Sequence, residues 1–204
     1  MKKIIIFSTI FTILLASCQS KMQPKPHGYM RIEFPEKNYA TYSGQEPYTF
    51  DIPEYCTIEQ ETMKNAEKYW TNIVFKNMDA KIHLSFKFVN HNIDTLIEDC
   101  HSMAYKHVVK ADAIQKTAYV DDTAKVYGLL YEIKGNVASP VQFYVTDSIK
   151  HFLRGSLYFN SVPNKDSLAP AIEFIKTDIQ RIVESTRWKN IVEPKTKKNA
   201  AYKK

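Results

Sequence analysis

The stretch Ile82-His83-Leu84-Ser85-Phe86-Lys87-Phe88-Val89 decides the fold of this chain. Every second residue in it is apolar, namely Ile82, Leu84, Phe86 and Phe88. Because successive side chains of a β-strand point to opposite faces, this alternation predicts a strand with one face in the core and one polar face. Half-buried strands of this kind are typical of antiparallel sheets, so the sequence predicts a sheet that buries one of its faces here.

Further runs rich in aromatic and β-branched residues flank this strand, and such composition is typical of strands. They are Tyr48 to Ile52, Trp70 to Phe75, Val126 to Lys134, Val141 to Thr146, and His151 to Asn160. The polar link Thr146-Asp147-Ser148-Ile149-Lys150 is typical of a hairpin turn between the last two runs.

Two segments have the residue spacing of helices. The first follows Asn92 or Asp94, either of which can cap a helix, and its repeating positions are Leu96, Met103, Ala104 and His107. The second has capping oxygens at Asp166 and Ser167, Pro170 in its expected first turn, and the apolar stripe Ile172, Ile175, Ile179, Ile182 and Val183. The order strands, helix, strands, helix predicts an α+β fold, in which helices flank a mainly antiparallel sheet.

The first 17 residues have the parts of a bacterial lipoprotein signal peptide. Lys2 and Lys3 precede an apolar run that ends at Leu15, which is shorter than the roughly 20 residues that a transmembrane helix needs. The string Leu15-Ala16-Ser17-Cys18 matches a lipobox, in which the cysteine receives diacylglycerol and becomes the new N-terminus. We therefore expect residues 1–17 to be removed and the lipid on Cys18 to anchor the chain to a membrane. The alternative is an ordinary secretory signal with a chance cysteine.

The mature chain is long enough for one well-packed domain. Residues 18–47 contain four prolines and predict a lipid-anchored tether or arm, residues 48–188 a single α+β domain, and residues 189–204 a basic, disordered tail. The formal charge of +6 lies mostly in the signal and the tail, so the domain itself is nearly neutral. We expect no nucleic-acid partner for such an exported domain.

Aromatic residues in the arm have two alternative roles. Tyr29, Phe34, Tyr39 and Tyr42 either pack onto the domain or contact a partner in the envelope. The loop 135–140 is a second candidate for such a contact.

No residue pattern predicts an active site, a cofactor site or a metal site. The groups that hydrolases use are present at Ser139, Ser156, His107, His151 and Asp147, but no Gly-x-Ser-x-Gly motif frames them. The histidine pairs His83/His91 and His101/His107 lack the i, i+4 spacing of zinc ligands on a helix, and the acid pairs Glu98-Asp99 and Asp121-Asp122 belong to no calcium loop. We expect a protein that is not an enzyme. The rival interpretations are a lipid-anchored hydrolase and a carrier of a small apolar ligand.

Two cysteines remain once Cys18 carries lipid. Cys56 and Cys100 either form a disulfide in an oxidising compartment or stay as buried free thiols. Cys100 precedes His101, but neighbours on a helix point about 100° apart, so the sequence predicts a structural Cys100 rather than a reactive one.

Four segments in order resemble the gliding-motility lipoprotein GldD family. They are residues 24–32 (PKPHGYMRI), 127–136 (YGLLYEIKGN), 151–159 (HFLRGSLYF) and 164–170 (NKDSLAP), and Arg187-Trp188 follows them. The resemblance implies a cell-envelope lipoprotein of the Bacteroidota that is needed for gliding and for the linked type IX secretion system. It implies no known catalytic residues, so none is carried over. We expect the protein to contact other envelope proteins of these systems as an assembly or stabilising factor. The layout is also similar to the Mog1/PsbP-like α-β-α sandwich.

The residues that follow Cys18 indicate on which side of the membrane the domain lies. Gln19-Ser20-Lys21-Met22 lacks the acidic run that tends to mark surface-exposed lipoproteins in these bacteria. We therefore expect a domain that faces the periplasm, anchored in either the inner or the outer membrane.

Overall fold

The computed structural model describes residues 33–191. The predicted signal peptide, Cys18, residues 19–32 of the predicted arm with Tyr29, and residues 192–204 of the tail lie outside it. The elements in chain order are β1 (Tyr39–Tyr42), β2 (Tyr48–Pro53), β3 (Thr57–Gln60), β4 (Thr71–Phe75), a 3-10 turn (Lys76–Met78), β5 (Ala80–Phe88), α1 (Ile93–Tyr105), β6 (Ala111–Asp121), β7 (Val126–Gly135), β8 (Val141–Thr146), β9 (His151–Phe159), α2 (Lys165–Ser185) and β10 (Arg187–Trp188). Neither helix of this part of the chain is long and apolar enough to cross a membrane.

Seven strands form the main sheet in the order β3-β4-β5-β9-β8-β7-β6. All neighbours in it are antiparallel. Strands β1, β2 and β10 form a smaller sheet in which β2 is central. The predicted α+β fold with a mainly antiparallel sheet is confirmed.

The alternation in β5 is present as the sequence predicts. Ile82, Leu84 and Phe86 are buried, whereas the His83 face is partly exposed. The buried face belongs to the same core cluster as the apolar stripe of α2, in which Ile175 and its neighbours one and two turns on are fully buried. Each such side chain stabilises the fold by about 1.5–3 kcal/mol, so this interface is a main source of stability.

Helix α1 covers the opposite face of the sheet. In β9, Phe152 packs against Leu96 and Cys100 of α1, while the next residue, Leu153, belongs to the cluster that contains the α2 stripe. Because adjacent strand residues point to opposite faces, the two helices enclose the sheet from both sides in an α-β-α sandwich. Helix α1 packs on β8 and β9, so it leaves the polar face of β4 and β5 open.

The structure contains strands that the sequence patterns did not predict. β3 and β6 are the two edge strands of the main sheet, and their side chains are largely exposed on both faces. They lack the alternation that marks a half-buried strand, and backbone pairing with a single neighbour holds them in the sheet.

The helix ends differ slightly from the predicted ones. Asn164 caps α2, and its side chain accepts hydrogen bonds from the N–H groups of Asp166 and Ser167, so the assignment of the cap to those two residues was wrong. Pro170 lies in the second turn of α2 rather than in the first. Asn92 occupies the N-cap position of α1, but its side chain accepts a hydrogen bond from the N–H of Asn90.

The described part of the predicted arm packs against the domain. β1 lies within it and pairs with β2, and Phe34 stacks on Phe174 of α2 with ring centroids 4.4 Å apart. The first tail residue, Lys189, donates its backbone N–H to the carbonyl of Pro47. The folded unit therefore begins before Tyr48, because strand pairing and aromatic stacking extend it toward the N-terminus.

Candidate functional site

A buried carboxylate joins the N-terminal segment to α2. Asp178 is fully buried, and its Oδ1 accepts hydrogen bonds from Lys37 Nζ (2.6 Å) and the Tyr39 hydroxyl (2.7 Å). Its Oδ2 accepts one from the Tyr55 hydroxyl (2.6 Å). These four residues are termed the anchor clamp. Burial of the charge is tolerated because both carboxylate oxygens are hydrogen-bonded and one donor is a cation.

The surroundings of the anchor clamp keep its two tyrosine hydroxyls protonated. Burial, together with the hydrogen bonds to Asp178, raises the pKa of Tyr39 and of Tyr55 above the ordinary value of a phenol. Lys37 Nζ also lies 3.7 Å from the ring centroid of Phe174 and donates to the carbonyl of that residue. The described N-terminal segment is thus attached to α2.

A second acid lies beside a histidine in the turn between β8 and β9. Asp147 Oδ2 is 2.6 Å from Nδ1 of His151, and Oδ1 accepts the backbone N–H groups of residues 149–151. Burial raises the pKa of Asp147, but the hydrogen bonds from His151 and the backbone outweigh it and hold the pKa well below its usual range. The His151 ring stacks on Trp188 of β10 at 5.1 Å. This pair fixes the turn and the C-terminal strand.

A row of polar residues crosses the open part of the sheet. Asn72, His83, Ser156 and Gln142 are successive cross-strand neighbours on β4, β5, β9 and β8. A groove of about 290 Å³ opens along this row. It is termed the sheet groove, and the residues that line it include Glu61, Trp70, His83, Arg154, Ser156 and Tyr158.

Two side-chain atoms of this row are buried without a hydrogen-bond partner among residues 33–191. They are Oδ1 of Asn72 and Oγ of Ser156. Glu61, by contrast, is fully engaged: Oε1 accepts two backbone N–H groups, and Oε2 accepts Asn72 Nδ2 at 3.0 Å and lies 3.4 Å from His83 Nδ1. The hydrogen bond from Asn72 and the backbone N–H groups lower the pKa of Glu61, so it is ionised at neutral pH.

In the sheet groove, a serine, a histidine and an acid are neighbours in space, in the same succession as in the catalytic triad of a serine hydrolase. Ser156 and His83 are register partners, and His83 contacts Glu61. The sequence offered His107 and His151 as bases and did not single out His83 for Ser156, because the register of β9 on β5 is not visible in a sequence. In the described structure Ser156 Oγ makes no hydrogen bond to His83, so the histidine does not activate the hydroxyl.

Other residues singled out in the sequence lie apart from this groove. In the loop 135–140, Val137, Ser139 and Pro140 are buried, whereas Asn136 and Ala138 are exposed and are the residues free to contact a partner. His107 lies beyond the end of α1, where burial and the charge of Arg154 lower its pKa. No group of three or more His, Cys, Asp or Glu side chains within residues 33–191 is placed to hold a metal ion.

Both remaining cysteines are free and buried. Cys56 belongs to the core cluster of α2, whereas Cys100 packs between α1 and β9, so the disulfide left open by the sequence is not formed in this structure. Burial raises the pKa of the Cys56 thiol to about 12 and that of Cys100 to about 11. Both thiols stay protonated and unreactive, and the predicted structural burial of Cys100 is confirmed.

The space near α2 bears on the carrier interpretation. The apolar stripe of α2 is fully packed against the sheet. An open pocket of about 350 Å³ at its N-terminal end is lined by both apolar and charged residues, among them Ile133, Ile172 and Glu132. The described part of the chain thus offers a small ligand a surface pocket here, and not a space beneath the stripe of α2.

Comparisons with known proteins identify the family. The family model described as "Gliding motility lipoprotein GldD" matches residues 19–188 of the 204-residue chain. No curated protein matches the chain. Among solved structures, the solution structure of cyanobacterial PsbP (CyanoP) from Synechocystis sp. PCC 6803 is similar, with 12% identity, coverage of 78% of this chain and 97% of that chain, and a TM-score of 0.48. The family match begins directly after Cys18 and ends at β10. The chain therefore belongs to the gliding motility lipoprotein GldD family.

Proposed function

We propose that this protein is a non-enzymatic lipoprotein that faces the periplasm and supports gliding motility and the linked type IX secretion system of the Bacteroidota. It acts through direct contacts with other envelope proteins of these systems, as an assembly or stabilising factor. Membership of the family supports the link to motility, and the lipobox at Cys18 supports the membrane anchor.

The anchor clamp is the observation that carries this proposal. Lipid on Cys18 would hold the chain at a membrane, and the segment from Cys18 to Glu33 reaches at most about 55 Å even when fully extended. At the end of that reach, Lys37 and Tyr39 bind a buried carboxylate of the core helix. A simple flexible spacer would not need such a cluster. The clamp suits a protein that must keep a partner within a limited distance of the membrane.

Exposed apolar side chains near one edge of the sheet favour protein contacts. Val108 and Val109 follow α1 and are 57% and 90% exposed, and Val120 on the edge strand β6 is 67% exposed. Contact with another protein would remove this apolar area from water.

The test of this function is crosslinking and pull-down of the intact lipidated protein from its own envelope. We expect gliding and secretion proteins to be recovered with the native chain and lost with Cys18→Ser, because that change removes the acceptor of the lipid. Cys56→Ala is the matched control, since it removes a buried thiol and leaves the lipobox intact. If Cys18→Ser recovers the same partners and restores movement as well as the native chain, the anchored role is wrong.

A lipid-anchored hydrolase is the second candidate, favoured by the order of Ser156, His83 and Glu61. We expect a fluorophosphonate probe, which reacts with activated serines, to leave the protein unlabelled, because no hydrogen bond to His83 activates the Ser156 hydroxyl. The measurement is mass spectrometry of the intact chain after treatment. Labelling that Ser156→Ala and His83→Gln both abolish would instead establish the hydrolase.

A further inference from the structure

We propose that the sheet groove binds the carboxylate of a peptide C-terminus, and that Arg154 and Ser156 are the residues that hold it. Arg154 supplies the charge, and Ser156 donates a hydrogen bond from its hydroxyl. A partner's C-terminal side chain would lie on the apolar rim.

Donors in the groove exceed the acceptors. A guanidinium carries five N–H donors, and the only hydrogen bond of Arg154 to another side chain in residues 33–191 goes to Gln142 Oε1 at 3.0 Å. None of the carboxylates in that range lies within ion-pair distance of Arg154. Arg154 is half-buried, so this unpaired charge is costly unless a ligand supplies an anion.

Ser156 points to the same kind of ligand. Ser156 is 1% exposed and lines the groove next to Arg154. Its Oγ has no hydrogen-bond partner in the described structure. A buried hydroxyl without a partner costs about 1–3 kcal/mol. A carboxylate oxygen that accepts from Ser156 while the other oxygen accepts from Arg154 would satisfy both groups at once.

The acid in the groove does not oppose this binding strongly. Glu61 already accepts hydrogen bonds from two backbone N–H groups and from Asn72, and it lies beside His83. Its charge is therefore partly compensated before any ligand arrives. The free donors are those of Arg154 and Ser156, on the other side of the groove.

The rim and the volume set the size of the ligand. Trp70 and Tyr158 line the groove, and Met63 at its edge is 62% exposed. The volume of about 290 Å³ suits one or two residues rather than a long segment. A C-terminal residue with an apolar side chain fits this groove, because its carboxylate would bind Arg154 and its side chain would contact the apolar rim.

The choice of a peptide rests on the proposed function, whereas a carboxylate site does not. The test uses the mature chain with Cys18→Ser and three probes: an N-acetylated tetrapeptide that ends in phenylalanine with a free carboxylate, the same peptide with a C-terminal amide, and 3-phenylpropionate. Binding is measured by calorimetry and by the NMR shift of the Trp70 indole N–H. We expect the free-acid peptide to bind at least tenfold more tightly than the amide, and more tightly than 3-phenylpropionate.

Variants separate binding from folding. We expect Arg154→Gln to weaken binding of the free-acid peptide about tenfold or more, and Ser156→Ala about three- to tenfold. Ser156→Ala should leave the thermal midpoint unchanged or raise it, because it removes a buried hydroxyl without a partner. Arg154→Lys keeps the charge and tests the need for a forked donor. Lys81→Gln is the matched control, because it removes a cation from the face of β5 that also carries His83. It should change the affinity less than twofold.

Each remaining outcome bears on the proposal. Equal binding of the amide, unchanged affinity in both Arg154→Gln and Ser156→Ala, or no binding of any probe at millimolar concentration by the folded chain would overturn the carboxylate site. If 3-phenylpropionate binds as tightly as the peptide, the site takes small acids and the peptide assignment is wrong. If no probe binds but the pull-down still recovers partners that depend on Cys18, the groove proposal is wrong and the proposed function stands.

Discussion

Asp178→Ala is expected to lower the free energy of unfolding by about 3–5 kcal/mol, which is typical when one partner of a buried ion pair is removed. The variant leaves the Lys37 ammonium and the hydroxyls of Tyr39 and Tyr55 without their acceptor. It also creates space beside the fully buried stripe of α2. The measurement is urea unfolding of the mature Cys18→Ser chain, followed by circular dichroism.

The control for this change is Glu184→Ala, which removes an exposed acid from the same helix and should change stability by less than about 0.5 kcal/mol. Loss of the clamp should also free the N-terminal segment, so limited proteolysis should cut within residues 33–47 faster in Asp178→Ala than in the control. A loss of stability below about 1 kcal/mol, with unchanged cleavage, would show that the clamp does not hold the segment.

The clamp also explains why a lipoprotein would carry a buried charge in its core. Hydrophobic contacts alone would attach the N-terminal segment to α2 without a defined register, since apolar surfaces are non-directional. Hydrogen bonds from Lys37, Tyr39 and Tyr55 to one carboxylate require a single geometry. The described N-terminal segment is thereby held to α2 at one defined position, which is the property that the proposed function needs.

Elements with strong periodicity could be predicted from the sequence. β5 and the stripe of α2 follow simple periods of two and 3.6 residues, because each buries one face. β8 and β9 were visible as short apolar runs joined by a polar turn. The edge strands β3 and β6 were not, since exposure on both faces leaves no pattern to detect.

The candidate sites depend on contacts between distant residues, and a single sequence does not reveal these. Asp178 follows the spacing of the apolar stripe, so an acid at that position already indicated a buried partner, but Lys37 is 141 residues away. The sheet groove likewise depends on the register that places Ser156 opposite His83. Local patterns specify which face a residue occupies, whereas pairing between strands specifies its neighbours.

Gly155→Val is expected to lower the free energy of unfolding by about 3 kcal/mol or more, at the upper end of what overpacking a core costs. Gly155 lies in β9 between β5 and β8, and its cross-strand partner is Phe143. A Cβ at this position would overlap the Phe143 ring, which is 1% exposed and belongs to the core cluster of α2. Because the ring covers the glycine, neither the Phe143 side chain nor the backbone at Gly155 can move without disturbing the packed sheet.

The same contact predicts a coupling that a double-mutant cycle can measure. Phe143→Leu alone should destabilise the fold by leaving a cavity, and Gly155→Ala alone by overlap with the ring. Together they should cost at least about 1 kcal/mol less than the sum of the two, because the added methyl group occupies space that the smaller side chain vacates. Ala118→Val on the exposed face of β6 is the control for added bulk and should be nearly neutral. Strict additivity would mean that the Phe143 ring and a methyl group at position 155 do not compete for the same space.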